Sequence, residues 1–369
     1  MYKDQTLHQQ DNNCDDHDDH SDEKDQELLG EVFIPEICLL VMEMIGGKEA
    51  LKMRQISKAW LEASEHFHAI KLEFTYDISN FFKITEHVLM EHVSELVMLD
   101  NKFTVDRFKR FVKNPRLKHL QVLYLECEES MGSLFDDDDS YEDQEFKLGD
   151  NVALFANCEN FSNLEKLTII NHNLGNTGLS DIFNSPVLKK LKALHLDRNC
   201  FSNFGTSSMG TDTLKQLEEL TCGWNDYSYD IQLVCKNQLF SNLKKLTVEF
   251  SLPEEDLFSI MANPVWSNLK ELYLATSVKK NISSLACTLK LEKLAILVSD
   301  FDACKSLIAN KSITQSLKYL DVGVIREHSS TDIDKIGSQF ETFIFTVVGD
   351  DDEDDNEHYA FDLFGEEYL

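Results

Sequence analysis

Glycine and proline are scarce in this chain, at 14 and 5 of 369 residues. Loops that cradle phosphate need glycine where backbone closely approaches the ligand, and neither G-x-x-x-x-G-K-[ST] nor G-x-G-x-x-G occurs. The nucleophile elbow G-x-S-x-G and the zinc-binding H-E-x-x-H are also missing. Paired carboxylates abound, but they fall in hydrophilic runs where nothing removes them from water to tune them for acid–base work. A non-catalytic protein with no cofactor is therefore expected. No run of about 18 apolar residues is present, which excludes a membrane-spanning helix. The Asp-rich start of the sequence has no apolar stretch of the kind that a secretory signal carries.

Basic residues are also under-represented, with 35 Lys and Arg against 66 Asp and Glu and a net charge of −31. The excess is concentrated in three places. Residues 1–30 carry ten acidic residues and two lysines, 126–150 carry eleven and one, and 350–369 carry ten and none. These segments hold −28 of the charge and leave −3 for everything else. Blocks of like charge repel and stay solvated, so the three are read as acidic appendages on a near-neutral body. They serve solubility and spacing, or attract basic proteins. No basic stripe is available for a phosphate backbone, so nucleic acid is not an expected partner.

The nine cysteines are odd in number, and no two form C-x-x-C. Free thiols point to a reducing compartment, cytosol or nucleus. Cys14, His17 and His20 have a spacing that would suit a soft metal, but a flexible acidic tail is a poor host and no metal site is assigned.

What the sequence does have is a recurring leucine phrase. Leu191-xx-Leu194-x-Leu196-xx-Asn199-x-Phe201 is followed by Leu217-xx-Leu220-x-Cys222-xx-Asn225-x-Tyr227, and Val93-xx-Leu96-x-Met98-xx-Asn101-x-Phe103 precedes both. Weaker copies place the fourth position of the phrase at 96, 123, 167, 194, 220, 246, 272, 294 and 320. The steps are 22 to 27 residues except from 123 to 167, which contains the acidic stretch 126–150. Leu72-x-Phe74 and Phe343-x-Phe345 read as degenerate first and last copies, as capping repeats should. In L-x-L the apolar residues alternate, so a short strand turns one face inward. The asparagine at the ninth position sits where the chain turns and can satisfy backbone groups there. Phe108, Phe111 and Val112 have helical spacing, so the return segment is a helix. A single unit cannot bury its apolar face, but stacked units can. The expected fold is an α/β solenoid over residues 70–347: a curved parallel sheet with outer helices, and the acidic stretch as an insertion.

The leucines are core, so recognition falls to the positions between them. The fifth position of successive repeats runs through Val97, Tyr124, Thr168, His195, Thr221, Thr247, Tyr273, Ala295 and Asp321. This varied strip suits a specific protein surface. The candidate substrate contacts are Tyr124, Thr168, His195, Asp197, Thr221, Thr247 and Tyr273 on the concave face.

Residues 31–69 differ from the repeats. Pro35 can open a helix, Ile37, Leu40, Val41, Met44 and Ile45 share one helical face, and Gly46-Gly47 ends it. A second helix begins near Lys48 with Leu51, Ile56 and Trp60 apolar. The stretch 33–61 resembles an F-box in Pro35-Glu36-Ile37, Val41-Met42, Ile45, Leu51 and Ile56-Ser57-Lys58-x-Trp60. It departs where Ile34-Pro35 replaces the usual Leu-Pro and Gly47-Lys48 replaces an acidic turn.

An F-box followed by leucine-rich repeats resembles the substrate receptors of SCF-type cullin–RING ubiquitin ligases. The resemblance implies that Pro35, Ile37, Val41, Met42, Ile45, Leu51, Ile56 and Trp60 dock a Skp-family adaptor joined to a cullin. The repeats would then hold a protein substrate. The alternative is that these helices cap the first repeat of an acidic leucine-rich scaffold, akin to a histone chaperone, with 348–369 as its acidic tail.

Overall fold

The computed structural model describes residues 70–75, 91, 93–99, 104–127, 148–201, 212–223, 225, 240–248, 254–278, 282, 285–324 and 338–347. The F-box-like stretch with Pro35, Ile37, Val41, Met42, Ile45, Leu51, Ile56 and Trp60 lies outside them, as do both acidic termini and residues 128–147.

Within the described residues the chain forms one parallel sheet whose strands follow sequence order from first to last. They are β1 Ile70–Thr75, β2 Val93–Leu99, β3 Val122–Glu126, β4 Lys166–Ile170, β5 Ala193–His195, β6 Glu219–Thr221, β7 Lys245–Val248, β8 Glu271–Val278, β9 Lys293–Val298, β10 Tyr319–Val324 and β11 Thr342–Val347. Sequential neighbours, all parallel, are the arrangement of a solenoid, in which each unit touches only the next. The register makes the repeat literal. Leu96, Leu123, Leu167, Leu194, Leu220, Leu246, Leu272, Leu294 and Leu320 face one another rung by rung. Leu72 joins the row at one end and Phe343 at the other. The nine leucines from Leu96 to Leu320 are all buried. Truncating one to alanine in such a row costs about 2–5 kcal/mol.

The returning segments carry the helices. These are α1 Val105–Val112, α2 Val152–Ala156, α3 Gly175–Phe183, α4 Glu254–Met261, α5 Phe301–Ala309 and α6 Lys311–Thr314. As the spacing predicted, α1 buries Phe108, Phe111 and Val112, and the Thr104 side chain caps it by accepting from the Arg107 N–H. In α3 the packing at Gly178 is close. A Cβ there would lie 3.1 Å from both Leu174 and Val152, so a larger residue would push these neighbours by a few tenths of an ångström. Shorter returns are single 3₁₀ turns, such as Pro115–His119 and Glu159–Phe161.

The 126–150 stretch blends into the repeats at both ends. Glu126 closes β3, while Leu148 and Val152 are buried on the far side.

Candidate functional site

The turn after each strand sets how the outward side chains are presented. In the central repeats it is built on asparagine. The Asn199 amide donates to the carbonyls of Ile169 (2.7 Å) and Asp197 (2.9 Å), and its oxygen accepts from the His172 N–H (3.0 Å). Asn225 repeats the arrangement one rung on, donating to Leu196 (3.0 Å) and Gly223 (2.7 Å) and accepting from the Asn199 N–H (2.8 Å). Each asparagine thus stitches its own turn to the preceding repeat. Positive φ falls at matching places in consecutive repeats, Asn171 and Asn173 in one and Arg198 and Cys200 in the next. One turn conformation is therefore copied along the stack.

The fifth-position residues do line up. Val97, Tyr124, Thr168, His195, Thr221, Thr247, Tyr273, Ala295, Asp321 and Ile344 are register partners in turn. Their exposure corrects the expectation that they form an open contact strip. Thr168, His195, Asp197, Thr221, Thr247 and Tyr273 are all buried, and only Tyr124 among the candidates is half-exposed. Strands lie about 4.8 Å apart, so a short side chain is overshadowed by its larger neighbours. Thr168 sits between Tyr124 and His195. Tyr273 has the Lys245 ammonium 5.7 Å above its ring. These residues form a floor.

That floor is polar, and much of its bonding is internal. His195 Nε2 lies 3.4 Å from Glu219 Oε1. Lys245 reaches the same carboxylate oxygen at 2.6 Å. The nearby His195 imidazole, helped by Lys245 against the opposing effect of burial, holds the Glu219 carboxyl down to about 2. Asp197, expected as a substrate contact, accepts from the Gly223 N–H and so ties its turn to the next. Burial pushes its carboxyl up, and its second oxygen has no hydrogen-bond partner. Burial, with Glu126 accepting from the hydroxyl at 2.6 Å, likewise pushes the Tyr124 phenol well above its ordinary value. Further along, burial raises Asp321 to about 6.

The surface offered to solvent comes instead from two charged rows. At the third position, Lys71 meets Glu95 at 3.2 Å, Glu219 meets Lys245, and Glu271 meets Lys293 at 3.1 Å. At the second position, Glu165 meets Lys192 (2.7 Å), Glu218 meets Lys244 (2.8 Å), and Glu292 meets both Lys270 (3.3 Å) and Lys318 (2.9 Å). Pairs one repeat apart in sequence are spatial neighbours here, so opposite charges at intervals of 22 to 27 residues were the available signal. Among the described residues no cluster of His, Cys, Asp and Glu is arranged to hold a metal ion.

No protein-family model matches the sequence, and no curated relative matches it. Among solved structures the chain is similar to a leucine-rich-repeat protein of Leptospira interrogans, at 13% identity over 70% of this chain and 56% of that one, with a TM-score of 0.34. The chain thus spans little more than half of that protein. It is also similar to a protein from Bacteroides fragilis, at 13% identity over 81% of each chain, with a TM-score of 0.39. Likenesses this distant say nothing about function. The leucine-rich solenoid is established by the chain's own register.

Proposed function

We propose that this chain is a non-catalytic recognition subunit that uses its repeats to hold a protein, and that it is the substrate receptor of an SCF-type ubiquitin ligase. The observation that carries the recognition role is the unbroken parallel sheet, which aligns one residue per repeat into a continuous face. The ligase role rests on the sequence Pro35-Glu36-Ile37 to Ile56-Ser57-Lys58-x-Trp60 standing ahead of those repeats. In this reading residues 33–61 dock a Skp-family adaptor bound to a cullin. The substrate meets Tyr124 and the charged rows above the buried Thr and His floor. Because each row is largely neutralised within itself, the favoured substrate surface is a mixed polar one. The described cysteines are thiols, with Cys127, Cys222 and Cys304 buried, which fits residence in cytosol or nucleus. A second reading, an acidic scaffold for basic proteins, is favoured by one observation: −28 of the charge lies in three segments.

The test is a pulldown of the full chain with a purified Skp-family adaptor. The native chain should bind, and Pro35→Ala combined with Ile45→Asp should reduce binding at least about tenfold, since a buried interface anchor contributes about 2 kcal/mol. Absence of binding by the native chain to every adaptor of its organism would remove the ligase role and leave the scaffold.

A further inference from the structure

The second-position row has one irregular step. Sign reverses from each repeat to the next along Glu165, Lys192, Glu218 and Lys244, then fails once, because Lys244 is followed by Lys270. Backbone pairing holds the two together, with the Lys270 N–H donating to the Lys244 carbonyl at 2.8 Å. Their ammonium groups turn apart, Lys244 toward Glu218 and Lys270 toward Glu292. Both lysines line a groove of about 480 Å³ that runs along four rungs, with Lys192, Glu218, Asn242 and Asn268 among its other walls. The two asparagine amides are fixed in its rim, donating to the carbonyls of Lys215 (2.7 Å) and Ser241 (2.9 Å).

No single change of sign at this junction can remove the fault. An acidic residue at 270 would pair with Lys244 but would then face Glu292. The like-charged step would move by one strand and become negative. The row therefore consists of two runs of opposite phase, and their junction has to be a like pair. Glu218 also lines the groove, but it lies between Lys192 and Lys244 and is already neutralised by the latter.

We propose that the Lys244–Lys270 junction is an oxyanion-binding site that takes a phosphate or carboxylate group carried on a partner peptide. A compact oxyanion presents several acceptor oxygens and can bridge two ammonium groups, each with three donors. It supplies the negative charge that the row omits at this step. The site lies along the edge where the strands begin, apart from the fifth-position floor, and does not depend on the adaptor reading.

The experiment uses the full-length chain and three labelled peptides identical except for one residue: phosphoserine, glutamate or serine. Fluorescence anisotropy at low salt should show the phosphoserine peptide, or the phosphoserine and glutamate peptides alike, binding up to about tenfold tighter than the serine peptide. Those two patterns separate a phosphate ligand from a general carboxylate one. Lys244→Gln with Lys270→Gln should abolish the preference. Lys118→Gln with Lys189→Gln, which removes the same charge outside the groove, should keep it. Lys270→Glu should transfer the preference to a lysine-bearing peptide. Circular dichroism on each variant confirms that the fold is intact, as expected for exposed side chains. Equal binding of the three peptides by the native chain, or an undiminished preference in the Lys244/Lys270 double variant, overturns the proposal.

Discussion

The central repeats and the C-terminal repeats share the same leucine row but end their strands differently. β5 and β6 stop after three residues, at His195 and Thr221, whereas β9 and β10 continue to Val298 and Val324. The ninth position differs as well. It is Asn199 and Asn225 in the centre and Ser299 after β9. An asparagine amide takes carbonyls from its own repeat and the preceding one, adding a side-chain stitch to backbone bonds such as Leu196 N–H to Thr221 and Arg198 N–H to Gly223. The Ser299 hydroxyl reaches only the adjacent Asp300 (3.0 Å), and backbone pairing runs up to Val298. The ninth-position side chain thus adds an inter-repeat bond in the centre that Ser299 does not make.

The comparison is broken most severely by removing a stitch. Asn199→Ala leaves the Ile169 carbonyl and the His172 N–H buried without that partner, and should cost about 2–4 kcal/mol in urea unfolding. Ser299→Ala should cost less than about 1 kcal/mol in the same assay. Equal losses would show that the ninth position does not set the turn.

A smaller effect sharpens the contrast between the two floors. Burial lifts Asp321 to about 6 from its ordinary value of 3.8. The folded chain thus holds that proton more tightly than the unfolded chain. The associated stability is fully present below about pH 4 and is lost as pH rises through about 6. Asp321→Asn should therefore raise stability at pH 7 by about 1–2 kcal/mol and change little at pH 4, read from Tm at both pH values. At Glu219, in the charged row beside the central floor, the sign is opposite: its carboxyl is depressed, so its contribution is present above its ordinary value of 4.5 and is lost as pH falls toward 2.

The smallest effect concerns the outer rows. Lys293→Gln leaves Glu271 without its ion-pair partner at an exposed site and should cost less than about 1 kcal/mol, with the difference shrinking at high salt.

Much of this fold was legible because the repeat is a one-dimensional signal. The marker leucines sit at a near-constant interval, and register follows once strands stack in order. The anomalous step after Leu123 was legible for the same reason. Exposure of the candidate contacts was not, because it depends on residues one repeat away rather than on the residue itself. Tyr273 has the character of a contact residue, yet it is buried with Lys245 of the preceding strand above it. His195 and Asp197 look available when read along one strand, but both are buried against the next repeat, His195 beside Glu219 and Asp197 accepting from the Gly223 N–H. The turn role of asparagine could be read from its position. Its bond to the preceding repeat could not, since the carbonyl comes from a distant part of the sequence.

The leucine row and the charged rows have different periods. Every strand offers the same leucine to its neighbour, but for most of its length the second-position row returns to the same sign only after two strands. A chain that lost the repeat containing Lys192 would keep its leucine packing and set Glu165 beside Glu218. A chain that also lost the next repeat would set Glu165 beside Lys244, and the row would close cleanly. Over that stretch the apolar core counts repeats singly and the charged edge counts them in pairs, so the smallest interchangeable module there is two turns of the solenoid.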